Sequence, residues 1–177
     1  MLGPDAVAEA ERGIDELGLV GVFLHPWEET FAVTDRRVDA VVEVARARRV
    51  PVVLASGYPW LSEALQVGEL AGRFPDVTLV ATNGLQINMS GLGQTDAELA
   101  LADNDNLIIQ TTGVYREDFI ERVVRRHGAQ RVLYASALPH FDPRLEVRRV
   151  QWAAFSGDEM DAMLNGNAEQ FFWPTAA

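Results

Sequence analysis

The segment Arg131-Val-Leu-Tyr-Ala-Ser-Ala-Leu-Pro-His140 indicates the fold more directly than any other stretch of this chain. Its apolar start, Val132–Ala135, is typical of a short buried strand, and the small polar residues and proline that follow are typical of a strand leaving into a loop. In α/β proteins, binding and catalytic residues are commonly placed where such strands end. We therefore expect the functional residues of this chain at its strand ends.

Four earlier apolar runs resemble this strand, at Val20–Leu24, Val50–Leu54, Val77–Ala81 and Leu107–Gln110. Strand starts are separated by roughly 24 to 30 residues, and each interval contains a helical pattern, which predicts parallel strands joined by right-handed crossovers. The runs are continuously apolar, which indicates strands covered on both faces. Two folds fit this pattern, a (β/α)₈ barrel and an open doubly wound sheet. No G-x-G-x-x-G or Walker loop follows a strand, which argues against a nucleotide-binding form of the open sheet.

The helical intervals also predict boundaries. Thr34 and Ser62 are expected to cap the helices before and after the second strand, because hydroxyl side chains accept hydrogen bonds from free N–H groups. No linker or second domain is visible, so residues 1–177 are expected to form a single domain. The last third of the chain predicts a loop over Gln86–Gln94, a short helix near Asp96–Ala102, and closing helices near Arg144–Ala154 and from about Gly157 to Phe172.

Composition excludes several classes of protein. The 177 residues include no cysteine, so disulfides and thiolate chemistry are excluded. The net charge of −11 is unfavourable for binding phosphate backbones, so neither nucleic acid nor an anionic membrane is expected as a partner. The N-terminus lacks the basic and apolar regions of a signal peptide, and no apolar run is long enough to span a membrane. A cytoplasmic location is the expectation.

Several strand ends, in this order and spacing, resemble the C-terminal part of the amidohydrolase family that includes decarboxylases. The similar segments are Gly21–Pro26, Pro51–Gly57, Phe74–Gly84, Gly128–His140 and Gly166–Ala168. Each motif is short, but five in register are specific for the fold. The resemblance extends from about Asp5 to Phe172 and implies a partial (β/α) TIM-barrel-like domain with about five parallel strands alternating with helices.

The resemblance also implies a divalent metal such as zinc at the strand ends, and the chain departs from the family there. Ala55 stands where the family has a metal-binding histidine, Thr82 where it has a second histidine, and Ala137 where it has an aspartate that binds metal and activates water. A catalytic zinc site needs about three protein ligands. A methyl group offers no lone pair, and threonine is a poor ligand. We therefore expect no metal cofactor and no metal-dependent catalysis.

Other titratable residues leave an alternative open. His25 and His140, with Glu28 or Glu29, could form a rebuilt site in an active hydrolase or decarboxylase acting on a small carboxylate or amide. The other interpretation is that both histidines lie in ordinary loops and that the two glutamates belong to a solvated acidic loop.

A ring of polar residues is expected at the mouth of the barrel and could bind a small neutral molecule. The other interpretation is that these side chains bond to one another at the strand ends. Trp27 and Trp60 are expected on loops of the same face, where they could stack on a ligand. The candidate ligand-binding residues are Ser56, Tyr58, Thr82, Asn83, Thr112 and Ser136, with Thr111 beside them.

Five strands cannot close an eight-stranded barrel, so the resemblance implies about three absent strand–helix units. An open barrel exposes two strand edges and apolar surface. The chain is then a fragment, or is completed by a second chain (a homo-oligomer or a related amidohydrolase), or forms an open sheet; the first two are favoured. Three functions stay open: a binding or regulatory subunit without catalysis, which we favour, a rebuilt hydrolase or decarboxylase, and a small-molecule binding module.

Overall fold

The computed structural model describes residues 3–87, 91–114 and 116–173, and five strands in these ranges form one parallel sheet. Strands that follow one another in sequence are also neighbours in the sheet, in the order β1-β2-β3-β4-β5. This order is that of a barrel, because a doubly wound sheet reverses its strand order at a switch point. The predicted partial TIM-barrel fold is confirmed. The strands are β1 Val22–Leu24, β2 Val52–Leu54, β3 Leu79–Ala81, β4 Leu107–Gln110 and β5 Val132–Leu133.

Helices alternate with the strands as the apolar spacing predicts. Among the residues that the structure describes, no helix is both long enough and apolar enough to cross a membrane. The helices are α1 Pro4–Asp15, α2 Pro26–Glu29, α3 Arg37–Arg48, α4 Ala64–Arg73, α5 Gly91–Asp103, α6 Glu117–His127, α7 Pro143–Trp152, α8 Gly157–Asp161 and α9 Asn167–Phe172, with a π-helical segment Ala162–Gly166 between α8 and α9.

Both predicted N-caps are wrong by one or two residues. Helix α3 begins after Arg36, and its first N–H group, that of Arg37, donates to Asp35 Oδ1 at 2.9 Å. Helix α4 begins after Glu63, whose side chain and that of Gln66 bond reciprocally to the two backbone N–H groups. In each case an acidic residue next to the predicted hydroxyl reaches the free N–H groups first, because an ionised oxygen is the stronger acceptor.

Two other predicted boundaries are corrected. Helix α5 begins at Gly91, so the predicted loop is too long at its C-terminal end, and its residues 88–90 lie outside the described part of the chain. Strand β5 ends at Leu133 and not at Ala135, because the Tyr134 N–H donates to the Met163 carbonyl at 2.9 Å instead of continuing the sheet.

The two faces of the sheet are covered differently. The outer face packs against the helices and contributes most of the main core. On the inner face Val80, Ile108 and Leu133 form a second cluster, on which Phe171 and Phe172 of α9 pack. The inner face of β1 is open, since Phe23 remains 57% exposed, so the prediction that every strand is covered on both faces is wrong at β1. The outer-face residues are Leu24, Val52, Leu54, Leu79, Ala81, Leu107, Ile109 and Val132.

The two edges of the sheet also differ. At β5 the chain covers its own edge, because Asn167 donates from Nδ2 to the carbonyls of Val132 at 2.7 Å and Ala129 at 2.8 Å. At the other edge, β1 pairs with β2 alone within the described ranges. The edge of β1 that points away from β2 is therefore the open edge of the described sheet.

Candidate functional site

The carboxyl ends of the first three strands form a common rim. Leu24, Leu54 and Ala81 are aligned in register, so the residues that follow them, His25, Ala55 and Thr82, are neighbours around the mouth. Because side chains alternate along a strand, these three share the inner face of the sheet. The structure thus brings two of the three substituted positions together, with His25 beside them.

Hydroxyl and amide groups on this rim bond mainly to one another. The Ser56 N–H donates to Thr82 Oγ1 at 3.0 Å, and the Ser56 hydroxyl donates to the Thr82 carbonyl. Asn83 donates from Nδ2 to the Ser56 carbonyl at 3.1 Å and to Thr82 Oγ1 at 3.2 Å. These bonds tie the ends of β2 and β3 together. A ligand at these three candidate residues would have to compete with the bonds that hold the rim.

The remaining polar candidates lie at the ends of β4 and β5. Thr111 Oγ1 joins the two strands, accepting from the Ala135 N–H at 3.2 Å and donating to the Ala135 carbonyl at 3.3 Å. Thr112 is buried, and its Oγ1 has no hydrogen-bond partner among the described residues. Ser136 lies beside the Tyr134 hydroxyl; burial raises the pKa of Tyr134, and its hydrogen bond with Ser136 opposes that rise. Thr111 and Ser136 therefore make their bonds at the ends of β4 and β5. That these residues bind a ligand together with Ser56 stays a prediction.

Four aromatic side chains cluster on the loops after β1 and β2, and we call them the aromatic cluster: Phe23, His25, Trp27 and Tyr58. Trp27 stacks on Tyr58 with ring centroids 5.5 Å apart and an interplanar angle of 18°. His25 lies 5.5 Å from Tyr58 and 5.7 Å from Phe23 between ring centroids. Burial, and secondarily the charge of Glu28, raises the pKa of Tyr58. Trp60, which was also expected on these loops, is 82% exposed.

Trp27 and Tyr58 were expected on one face, whereas Phe23 was not among the predicted residues of that face. The signal was present, because Phe23 precedes His25 by two residues in a strand and so lies on the same face. Its contact with His25 extends the cluster from the rim onto the inner face of β1.

The candidate catalytic histidines have local roles. His25 caps α2, where Nδ1 accepts from the Glu28 N–H at 3.2 Å, while Glu29 Oε1 accepts from the His25 N–H at 3.4 Å. His140 is exposed in the turn after β5, and its N–H donates to the Ala137 carbonyl at 2.8 Å. Ala137 has a positive φ of 51° in this turn. A catalytic role for His25 and His140, together with Glu28 or Glu29, stays a prediction.

The donor set does not fit the metal that the resemblance implies. In residues 3–87, 91–114 and 116–173, no group of three or more histidine, cysteine, aspartate or glutamate side chains is placed to hold a metal ion. Ala55 offers a buried methyl group, the Thr82 oxygen accepts two hydrogen bonds, and Ala137 again offers a methyl group. Three protein ligands for a divalent cation cannot be assembled from these side chains.

His127 lies at the C-terminal end of α6, away from the rim. Burial lowers its pKa, and the positive charges of Arg131 and Arg126 lower it further. Burial and the cationic neighbours thus both favour the neutral imidazole.

We therefore expect the stability of the fold to fall on mild acidification because of His127. Its pKa is lower in the folded state than in the unfolded chain, so the unfolded state gains more protons as the pH drops below the unfolded value of about 6.5. Urea unfolding at about pH 7.5 and about pH 5.5 gives the free energy of unfolding at each pH. This free energy should fall more between the two pH values for wild type than for His127→Gln. Equal losses would contradict the assignment.

Comparison with known proteins identifies relatives of this fold. A family described as amidohydrolase matches residues 2–172. Comparison with curated protein sequences finds no match. Two similar solved structures are 5-carboxyvanillate decarboxylase from Sphingomonas paucimobilis (17% identity, TM-score 0.73, 96% of this chain and 63% of that one) and dihydroxybenzoic acid decarboxylase from Polaromonas sp. JS666, which has bound manganese and the inhibitor 2-nitroresorcinol (15% identity, TM-score 0.72, 97% and 66%).

A third similar structure is an uncharacterised TIM-barrel protein from Bordetella bronchiseptica, with 23% identity and a TM-score of 0.76 over 90% of this chain and 59% of that one. At these identities the likeness shows the fold. The chain spans about three fifths to two thirds of the length of these three structures.

Proposed function

The chain belongs to the amidohydrolase family, and we propose that within this family it serves as a binding or regulatory subunit without metal-dependent catalysis of its own. One observation carries the proposal. The strand-end positions that supply metal ligands in the resemblance hold Ala55, Thr82 and Ala137, and the Thr82 oxygen is used to join two strands. Without a cation at the rim, no residue there lowers the pKa of a bound water toward neutrality.

The open edge of β1 supports a protein chain as the bound partner. Within the described ranges β1 pairs with β2 alone, and Phe23 on this strand is 57% exposed. Strand edges of this kind are normally covered. The partner is a second copy of the chain or a related amidohydrolase chain.

The rim offers less support for a small ligand or for a rebuilt active site. Ser56, Thr82 and Asn83 bond to one another, so few of their donors are free for a ligand. The Nδ1 lone pair of His25 is occupied by the cap of α2, which removes one acceptor from a rebuilt acid–base pair.

Metal analysis tests the loss of the metal site. The full chain is purified, incubated with Zn²⁺ or Mn²⁺ and dialysed. Its metal content is then measured by inductively coupled plasma mass spectrometry. We expect far less than one ion per chain, and no decarboxylation of dihydroxybenzoic acid above the buffer rate with Mn²⁺ present.

Adventitious zinc binding by the half-buried His25 and the exposed His140 is controlled with His25→Ala and His140→Ala. Metal that disappears in either variant and supports no turnover is consistent with the proposal. A stoichiometric ion retained in both variants, or decarboxylation that depends on added metal, would refute it.

A further inference from the structure

A pocket lies between the loops that follow β2 and β3, beside the N-terminal halves of α4 and α5. It has a volume of about 110 Å³. An engineered cavity of about 150 Å³ in another protein is large enough to take up benzene. All of the described lining residues lie between positions 57 and 96, so the walls depend on neither end of the chain. The pocket therefore suits a small molecule of a few non-hydrogen atoms.

One half of the pocket is apolar and is held in place by backbone packing. At Gly57 the loop after β2 lies directly against the loop after β3, since a Cβ atom there would be 2.5 Å from the Ile87 nitrogen. This contact fixes the distance between the two loops, so the pocket is formed before any ligand binds. The apolar lining consists of Pro59, Ala64, Leu85 and Ile87.

The other half offers oxygen acceptors that are not fully used. Asp96 is half-buried, and its carboxylate makes no hydrogen bond or ion pair within the described ranges. Glu63 accepts from the Gln66 N–H as the cap of α4 but pairs with no cation in those ranges. The Oε1 atom of Gln86 is buried and has no hydrogen-bond partner among the described residues. A ligand that donates hydrogen bonds would satisfy all three groups.

The charge of the pocket is negative, because no basic side chain balances its two carboxylates. Between Arg49 and Arg116 the sequence contains one basic residue, Arg73. Arg73 lies at the far end of α4 and is already paired with Asp39 at 2.6 Å and with Glu69 at 3.1 Å. The N-terminal ends of α4 and α5 each supply about half a positive charge, which leaves a net charge of about −1.

We propose that this pocket binds an organic cation of the alkylammonium class, with a short apolar body of about four carbon atoms. The ammonium group has three N–H donors. These donate to the carboxylates of Asp96 and Glu63 and to the Gln86 amide, whose oxygen turns toward the ligand about its last side-chain bond. The carbon chain packs on the apolar half. This site goes beyond the subunit role proposed above and does not depend on it.

A metal ion fits the pocket less well than an organic cation. Within residues 3–87, 91–114 and 116–173, no three acidic or histidine side chains are placed to hold a metal. Hard divalent cations also take about six or more oxygen ligands, whereas half of this pocket is hydrocarbon. An anion would meet two carboxylates and no basic side chain.

Nuclear magnetic resonance titration of the full chain tests the ligand class with three matched probes. Butylammonium should shift the backbone N–H signals of Gly57, Ile87 and Gly93 in a saturable way. The neutral 1-butanol has a body of the same length and should bind about tenfold more weakly or worse, because it lacks the charge. Butyrate, of opposite charge, should leave these signals unchanged.

Two carboxylates on the same helix provide the matched variants. Asp96→Asn should raise the dissociation constant of butylammonium by about tenfold or more, because it removes the charge and keeps the side-chain size. Asp103→Asn should leave the constant unchanged, since Asp103 is an exposed carboxylate of α5, outside the pocket and likewise unpaired within the described ranges. Glu63→Gln should weaken binding while its amide oxygen still caps α4.

The same chemistry occurs in a lysine side chain of a partner protein, and a fourth probe separates the two sources. This chain contains no lysine, so a second copy cannot supply one. Tighter binding of butylammonium than of Nα-acetyl-lysine methylamide assigns the pocket to a free amine, and the reverse order assigns it to a lysine side chain.

Three results would overturn the proposal: no saturable binding of either ammonium probe, equal binding of butylammonium and 1-butanol, or equal affinity in wild type and Asp96→Asn. Binding of an amine is measured without added metal. This titration and the metal analysis can therefore fail separately.

Discussion

Replacing Gly57 with alanine is expected to lower the free energy of unfolding by about 3 kcal/mol. Gly57 follows Ser56 on the rim and has a φ of +88°, a conformation in which a side chain is strained. A Cβ atom at this position would also lie 2.5 Å from the Ile87 nitrogen and 2.6 Å from the Gln86 carbonyl carbon. Both neighbours are backbone atoms and cannot rotate away, so the rim itself would have to shift.

Thermal unfolding followed by circular dichroism measures this effect, which corresponds to a fall in midpoint of roughly 8 °C for a domain of this size. Gly72→Ala is the matched control. Gly72 lies in α4, and its nearest neighbour to a new Cβ would be the Asn104 side chain at an ordinary 3.4 Å. Alanine there should keep or raise the midpoint, because it favours the helix. A Gly57→Ala midpoint equal to that of wild type would show that the two loops are not in contact.

The Gly57 contact matters for function because it holds the loop after β2 against the loop after β3. The same two loops carry the Ser56, Thr82 and Asn83 hydrogen bonds. Backbone packing and side-chain bonding therefore fix the rim together. A rim fixed in this way is consistent with a structural role for its polar residues.

The strands were predictable because their signal is local. Each is a short, continuously apolar run, and the regular spacing of the runs predicts parallel pairing in sequence order. All five strands lie inside their predicted ranges, β4 with the predicted bounds and the others with one end trimmed, and the barrel-like order follows.

The errors arise where distant residues decide the outcome. Strand β5 stops early because Met163, thirty residues along the chain, accepts the hydrogen bond that would have extended it. The placement of α9 on the inner face depends on Phe171 and Phe172 meeting Val80 and Ile108, contacts that no local pattern encodes. The misplaced caps are a smaller error, caused by competition between adjacent acceptors.

The site shows the same division between local and distant information. The resemblance located Ala55 and Thr82 on one rim, and the register confirms that they are neighbours. Which polar candidates bond to each other depends on the distances between loops, so the Ser56–Thr82–Asn83 bonds and the Thr111–Ala135 bonds could not be predicted. The open edge at β1 was predicted from the strand count, but the cover that Asn167 gives to the edge of β5 became visible only in the structure.

Replacing Arg131 with methionine is expected to have the largest effect on stability, a loss of about 4 kcal/mol. Arg131 begins the segment that leads into β5, and it is only 6% exposed. Its guanidinium donates to the carbonyls of Leu107 at 2.7 Å, Asn104 at 2.6 Å and Leu101 at 3.1 Å. Methionine keeps the length of the side chain but leaves these carbonyls without their shared donor. Burial lowers the pKa of Arg131, an indication of how far the charge is removed from water.

Urea unfolding gives the size of the loss, and Asp105→Asn shows its origin. Asp105 is the carboxylate nearest to Arg131, at 3.6 Å, but its side chain is fully exposed. A contact of that kind adds little to stability. If Arg131 stabilises the fold through its hydrogen bonds to the three carbonyls, Asp105→Asn should have the same free energy of unfolding as wild type. Nuclear magnetic resonance titration of His127 adds an independent readout, because loss of the Arg131 charge should raise the His127 pKa. Equal destabilisation by the two variants would mean that the ion pair, and not the bonding of three carbonyls, anchors the start of β5.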